Sequence, residues 1–372
     1  MFLSYANQWV ITPTIPLYVH DLGGSASLAG AALLAFAVPS FVIRPLVGRL
    51  ADEWGAAGVL ALGFIALAIG TSLLLVPFLA MVFVAGVVRG IGWAGVNTGG
   101  YTTLALAAPA HRRGEASGYY TSVTTSASVV FPALVLWLVD TPDGYRLVFL
   151  LSVTLALLGL PIAMRLAQAS AKAKSTSPIS EKPVHNGLID RGVLVATGLN
   201  LCSTLVMPSV MAFLPLYARS IGVDNIGMFY VLAGLTSIAI GPVLGRRWDS
   251  MGRGPAIGFG LAAQVIGLVL VMIANSLPLM LVGGFFLAVG WALIGSATMA
   301  LAMDLANPRS RGQAMATFRM SFQLGSGCGA IMAGYLADLV GLRGMYAGSI
   351  AITIAGFGLL LAVRKLLPRP AR

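Results

Sequence analysis

Charged side chains are scarce in this sequence: Asp, Glu, Lys and Arg make up 9% of its 372 residues, where a soluble domain carries roughly 25%. With 58% hydrophobic residues and a mean hydropathy of +0.90, the chain could not cover its apolar surface in water, so a lipid bilayer must be its solvent. Cysteine is nearly absent too. Cys202 and Cys328 lie in different apolar segments, which excludes a disulfide framework or a thiolate metal site and leaves them as small hydrophobes. The three histidines, His20, His111 and His185, all fall in polar loops, and neither His-Glu-x-x-His nor Gly-x-Ser-x-Gly occurs. No enzyme chemistry, cofactor or metal is therefore expected. No Asp or Glu stands at mid-depth of an apolar segment, which weighs against a strongly cationic ligand.

What the sequence does have is long apolar runs without the alternation of barrel strands, and these read as helices. At about 20 residues per span there is room for about twelve. The pattern predicts helices near 1–19, 27–47, 57–76 and 79–107, a fifth after 115 and a sixth ending near 165. Others follow near 192–216, 226–244, 256–274 and 277–305, with two more ending near 367. The first span is short and no basic stretch precedes it, so a natural start upstream of Met1 is expected. Between 167 and 191 the composition turns to Lys, Ser, Pro and Glu, the signature of a flexible linker between domains 1–166 and 192–372.

The net charge of +11 does not imply a nucleic-acid partner. Most Lys and Arg fall in alternate loops and the C-terminal tail, among them Arg112, Arg113, Lys172, Lys174, Arg246, Arg247, Arg309 and Arg311. That is the positive-inside asymmetry, and it predicts both termini in the cytoplasm.

The chain also repeats itself. Gly48-Arg49-Leu50-Ala51-Asp52-Glu53-Trp54-Gly55 is echoed by Gly245-Arg246-Arg247-Trp248-Asp249-Ser250-Met251-Gly252. Pro16-Leu17-Tyr18 answers Pro215-Leu216-Tyr217, and Gly92-Trp93 answers Gly290-Trp291. Two copies of one membrane unit are implied.

Within the predicted fourth helix, Gly90, Gly92 and Gly95 spell the dinucleotide fingerprint Gly-x-Gly-x-x-Gly, but no strand precedes them, and close helix packing is their role. Close helix packing is likewise the role of Gly325, Gly327 and Gly329. Arg89 is the sharpest residue, because an arginine inside a membrane helix is costly and by default functional. Its candidate partners are Asn7, Gln8 and carbonyls freed by Pro13 or Pro16. Arg319, Asp304 and Asp21 are further candidates for transport or coupling. The expected cavity lining is Asn7, Gln8, Trp93, Asn97, Tyr101, Tyr120, Thr124, Asn200, Met207, Met211, Ser296 and Gln323.

Twelve helices in two halves, with a Gly-x-x-x-Asp-x-x-Gly loop after the second and eighth, resemble the Major Facilitator Superfamily. Gly48, Leu50, Ala51, Asp52 and Gly55 match that loop, and Arg253 keeps the basic residue after the second copy. Glu53 and Trp54 depart from it. Arg89 matches the family's fourth-helix arginine, and Arg44-Pro45-Leu46-Val47-Gly48 is similar to bacterial drug and small-metabolite exporters. Of the fifth-helix motif of proton-exchanging members only Pro132 remains.

The resemblance implies an all-α membrane protein of two pseudo-symmetric six-helix bundles, working by alternating access. It sets Gly48, Arg49, Asp52, Gly55, Gly245, Arg246, Asp249, Gly252 and Arg253 as conformational-switch positions. Asp52 would face the helix start near Gly312 and Asp249 the one near Gly114, each contact worth about 0.3–1 kcal/mol. A monomer in a bacterial inner membrane, exporting a small apolar or amphipathic molecule, is expected, with protons as a candidate coupling ion. Uptake of a small anionic or zwitterionic metabolite, or a sensor that does not transport, are the alternatives.

Overall fold

In the computed structural model the described residues are 1–107, 113–173, 191–306 and 311–364, and among them all regular structure is helical. The chain divides into two compact units, Met1–Glu181 and Lys182–Arg372.

The first unit contains α1 (Phe2–Ile11), α2 (Thr14–Asp21), α3 (Ala26–Val42), α4 (Arg44–Trp54), α5 (Ala56–Leu73), α6 (Leu79–Ala107), α7 (Arg113–Val139) and α8 (Gly144–Ala173). The second contains α9 (Leu194–Met211), α10 (Leu214–Ser220), α11 (Gly227–Met251), α12 (Arg253–Ile273), α13 (Leu277–Leu305) and α14 (Arg311–Val363). Eight of these helices are long and apolar enough to cross a membrane, and the bent pair α3 and α4 adds a ninth.

The expected count of twelve differs from this for local reasons. Where a single first span was expected, α1 and α2 part at Thr12-Pro13, because Pro16 has no N–H to give and its ring crowds the carbonyl four residues back. The seventh is likewise split into α9 and α10 by Pro215, in the first turn of α10, which has no N–H for the carbonyl of Met211. Each second piece is tied down by a tyrosine. Tyr18 Oη donates to the Leu74 carbonyl at 3.0 Å and Tyr217 Oη to that of Met272 at 2.9 Å. Conversely, α14 merges two expected spans. Its 53 residues, at about 1.5 Å each, far exceed a hydrocarbon core of about 30 Å. The chain therefore crosses twice and turns at Gly341, whose φ of 78° suits glycine.

Two further differences concern boundaries. The stretch from Gly48 to Trp54, expected as a loop, is helical within α4, after a 45° bend from α3 next to Pro45. Its second copy from Gly245 is helical to the end of α11. Nothing in Arg-Leu-Ala-Asp-Glu-Trp breaks a helix, so the turn waits for Gly55 and Gly252, both at φ 90°. Helix α8 runs to Ala173, seven residues past the expected end of the first domain.

Helices α5 and α6 pack backbone to backbone on glycines. A methyl on Gly63 would lie 2.6 Å from Val96 N, and one on Gly92 2.8 Å from Gly63 O. Helices α12 and α13 repeat the arrangement with Gly260, Gly267, Gly283 and Gly290. Apolar side chains fill the remaining interior, Phe64 and Leu67 in the first unit, Ile257, Ile294 and Phe318 in the second. Val42, Ile69, Trp137 and Leu158 stand exposed, as expected where the surroundings are lipid rather than water.

Candidate functional site: a buried arginine and an aromatic wall

Glycines place the central charge. On α6, a methyl at Gly90 would lie 2.3 Å from the Phe36 carbonyl of α3, and one at Gly92 would strike α5. The helix is thus drawn into a slot between two neighbours, and Arg89, next to Gly90, has no path along the surface. Its stem lies over Gly70, where a methyl would come within 2.6 Å of Arg89 Cγ. The residue is only 3% exposed.

Helix α1 supplies its partners. Arg89 Nη2 donates to Asn7 Oδ1 at 3.3 Å and Gln8 Oε1 at 3.2 Å, and the guanidinium carbon lies 5.5 Å from the centre of the Phe36 ring, a cation–π contact. Asn7, itself fully buried, donates to Ser152 O at 2.8 Å and Ser152 Oγ at 2.6 Å on α8. Gln8 Nε2 donates to Thr12 Oγ1 at 3.1 Å, and that hydroxyl donates to the Gln8 carbonyl at 2.9 Å. Among the described residues no carboxylate pairs with Arg89, and its Nε has no hydrogen-bond partner. A cavity of about 20 Å³ adjoins it, lined by Gln8, Thr12, Phe36, Leu74, Ala85 and Arg89 among others.

An aromatic wall begins on the same face of α1. Tyr5 sits 5.0 Å from Trp93 and 6.4 Å from Tyr120 between ring centres, and Tyr101 stacks obliquely on Tyr120 at 4.5 Å. Tyr5 Oη donates to Asn97 Oδ1 at 3.3 Å, and Asn97 Nδ2 to the Trp93 carbonyl at 3.1 Å. Thr124 spends its hydroxyl on the Tyr120 carbonyl at 2.9 Å. The structure therefore gathers the expected Asn7, Gln8, Trp93, Asn97, Tyr101 and Tyr120 into one region. It adds Tyr5, Phe36 and Ser152, which sequence reasoning missed. The spacing of Tyr5, Gln8 and Thr12, three and four residues apart, could have revealed Tyr5. No pattern pointed to Ser152.

In the second unit, Asn200 forms its own buried cluster. It donates to Ser321 Oγ at 2.8 Å and accepts from Thr298 at 3.2 Å, joining α9, α13 and α14. Gln264 is fully buried, its Oε1 without a partner. A lone glutamine in an apolar run was the available signal for it. Met211 is buried and Met207 half-buried. Ser296 is exposed and donates to its own helix at Ala292 O, 2.8 Å. Gln323 is half-buried and Arg319 exposed on α14.

The remaining charges sit at helix ends. Asp21 is exposed and accepts from Tyr145 Oη at 2.5 Å. Asp304, at the end of α13, pairs with Arg253 Nε at the start of α12, 3.0 Å away. Gly48 is half-buried and Arg49 exposed. The side chains of Asp52, Arg246 and Asp249, and the contacts expected of them near Gly114 and Gly312, lie outside the described residues.

The sequence profile of the Major Facilitator Superfamily matches residues 1–246 and again 196–372. An uncharacterized transporter of this type from Methanocaldococcus jannaschii is 25% identical, over 95% of this chain and 93% of its own. The staphylopine export protein of Staphylococcus aureus is 24% identical, with 100% and 95% covered. The quinolone resistance protein NorA of the same species is 23% identical, with 97% and 94% covered. Among solved structures, a bacterial homolog of the human lysosomal transporter Spinster, inward-facing, superposes with a TM-score of 0.77 at 16% identity, covering 100% of this chain and 96% of that one. A POT family transporter in complex with 5-aminolevulinic acid gives 0.77 at 13% identity, covering 100% and 95%. With a repeated helical unit, apolar spans and a match along its whole length, this chain belongs to the Major Facilitator Superfamily and is a multi-pass membrane transporter of a small molecule, not an enzyme.

Proposed function

We propose that this transporter exports a small amphipathic molecule across a bacterial plasma membrane, as a monomer with both termini in the cytoplasm. Its two units, joined by the polar stretch that precedes Arg191, rock about a substrate site in alternating access. The observation that carries this reading is Arg89, a buried cation held by neutral amides. Burying an unpaired charge costs several kcal/mol, a cost that stability alone does not justify and that transport does. The wall of Tyr5, Trp93, Asn97, Tyr101 and Tyr120 offers ring faces with hydroxyl and amide groups beside them, which suits a substrate that is part apolar and part polar. The names of two relatives, an export protein and a drug-resistance protein, favour the outward direction.

Protons are the proposed coupling ion. Asp21 and Asp304 are exposed and engaged with Tyr145 and Arg253, so a proton carried on the substrate itself fits the geometry better than one on either residue. Asp52 and Asp249 serve in this reading as switches, favouring closure at the cytoplasmic side. A second reading, uptake of a small anionic or zwitterionic metabolite, is favoured by the lack of a carboxylate beside Arg89 among the described residues.

Proteoliposomes with an imposed pH gradient separate the two. Gradient-driven movement of neutral or weakly basic aromatic compounds, lost in Arg89→Leu and reduced in Tyr120→Ala, is the expected result. Accumulation of amino carboxylates alone would favour the second reading. No movement of any compound by well-folded protein would overturn both.

A further inference from the structure

We propose that the small cavity between α1, α2, α3 and α6 is a binding site for one monovalent inorganic anion, chloride under ordinary salt conditions, that neutralises Arg89. This goes beyond the transport reading and does not depend on it.

The first argument is charge. A guanidinium stays protonated in a protein, and its partners here, Asn7, Gln8 and the Phe36 ring, are all neutral. Among the described residues nothing supplies the opposite charge that a buried cation requires.

The second argument is the donor and acceptor inventory. Gln8 Oε1 is taken by Arg89, and the Thr12 hydroxyl gives its hydrogen to the Gln8 carbonyl while receiving Gln8 Nε2. What remains among these groups is the unpartnered Arg89 Nε–H and the second amide hydrogen of Gln8. Both are donors. An anion needs donors alone.

The third argument is size. A cavity of about 20 Å³ holds a single water-sized particle. Chloride is little larger. The rest of the lining, including Ile11, Leu33, Val82 and Ala85, is apolar and gives competing water nothing to bind.

The test uses the full chain purified in detergent at fixed ionic strength, with sodium gluconate replaced stepwise by sodium chloride, bromide or acetate. Wild type is expected to show a saturable rise in melting temperature with chloride and bromide but not acetate, and a bromide-soaked crystal an anomalous peak beside Arg89 Nε. Arg89→Leu should lose the rise and melt in gluconate no lower than wild type. Should that variant fail to fold, Thr12→Val keeps the arginine but releases the Gln8 amide, and should raise the half-saturating bromide concentration. Identical melting in halide and gluconate would overturn the proposal in favour of water or empty space. An equal halide response in Arg89→Leu would place the binding elsewhere and overturn it too. An acetate response as large as that of chloride would replace the inorganic ion with a substrate carboxylate.

Discussion

Helices α5 and α6 of the first unit and α12 and α13 of the second build the same slot and fill it differently. Gly70 faces Arg89 so closely that an added methyl would lie 2.6 Å from Cγ, and Gly267 faces Leu287 Cγ at the same 2.6 Å. Leu287 occupies the position of Arg89 in the repeat, each standing three residues before the glycine of its Gly-Trp pair. The slot therefore selects a side chain by the shape of its stem and is indifferent to the charge at its tip. Polarity is decided by the neighbouring broken helix. Where α1 offers Asn7 and Gln8, the corresponding positions of α9 hold Val206 and Met207. Charge and acceptors are present together in one half and absent together in the other. One scaffold was thus used twice, with a buried charge in one copy and an apolar side chain in the other.

The sharpest way to break the comparison is to move the charge. Leu287→Arg would bury a guanidinium against Val206 and Met207, at a cost of about 3–5 kcal/mol. The expected outcome is a protein that melts far below wild type or does not accumulate. Adding Val206→Asn and Met207→Gln should recover part of the loss, and thermal melting of the triple variant checks it. The converse change, Arg89→Leu, makes the halves alike. It should stabilise the fold by about 1–4 kcal/mol, as apolar replacement of buried charge often does, while abolishing transport in vesicles.

The glycine contacts should rank by what they touch. A methyl on Gly63 meets the backbone N of Val96, whereas one on Gly260 first meets the Ile294 side chain at 2.7 Å. Gly63→Ala should cost about 1–3 kcal/mol and Gly260→Ala less, because a side chain yields more readily than a backbone; denaturation midpoints of the two variants compare them. Gly55→Ala and Gly252→Ala should cost roughly 1–2 kcal/mol each and equally, since both glycines sit at φ 90°. The smallest effect belongs to Arg253→Met. Its pairing with Asp304 is partly exposed and worth about 0.2–1 kcal/mol, and the difference from wild type should vanish in high salt. The first half has Ala56 and Leu106 at the matching positions, so no such salt sensitivity is expected there.

Much of this was legible beforehand because membrane helices announce themselves. Long apolar runs, the ~200-residue repeat and the glycine clusters all follow from local composition, and Arg89 stood out because charge is so rare in such segments. Asn7 and Gln8 were named as its partners because few other polar groups were available. What could not be read was which polar residues are spent on their own helix. Thr124 and Ser296 each give their hydroxyl hydrogen to a backbone carbonyl one turn back. The loop reading of Gly48 to Trp54 failed for a related reason: a motif defined by spacing carries no information on where the helix stops until a residue such as Gly55 forces it.

The sequence by itself determined the solvent, the helical class and the two-fold repeat, because each depends on composition or on similarity along the chain. It also determined that Arg89 would be costly. Only the tertiary structure decided that this cost is met by neutral amides from one neighbouring helix, that Tyr5 joins Trp93 and Tyr120 into one wall, and that Arg89 Nε is left facing no partner beside a small cavity. These depend on distances between segments some 80 to 150 residues apart, which glycine contacts set and no local pattern encodes.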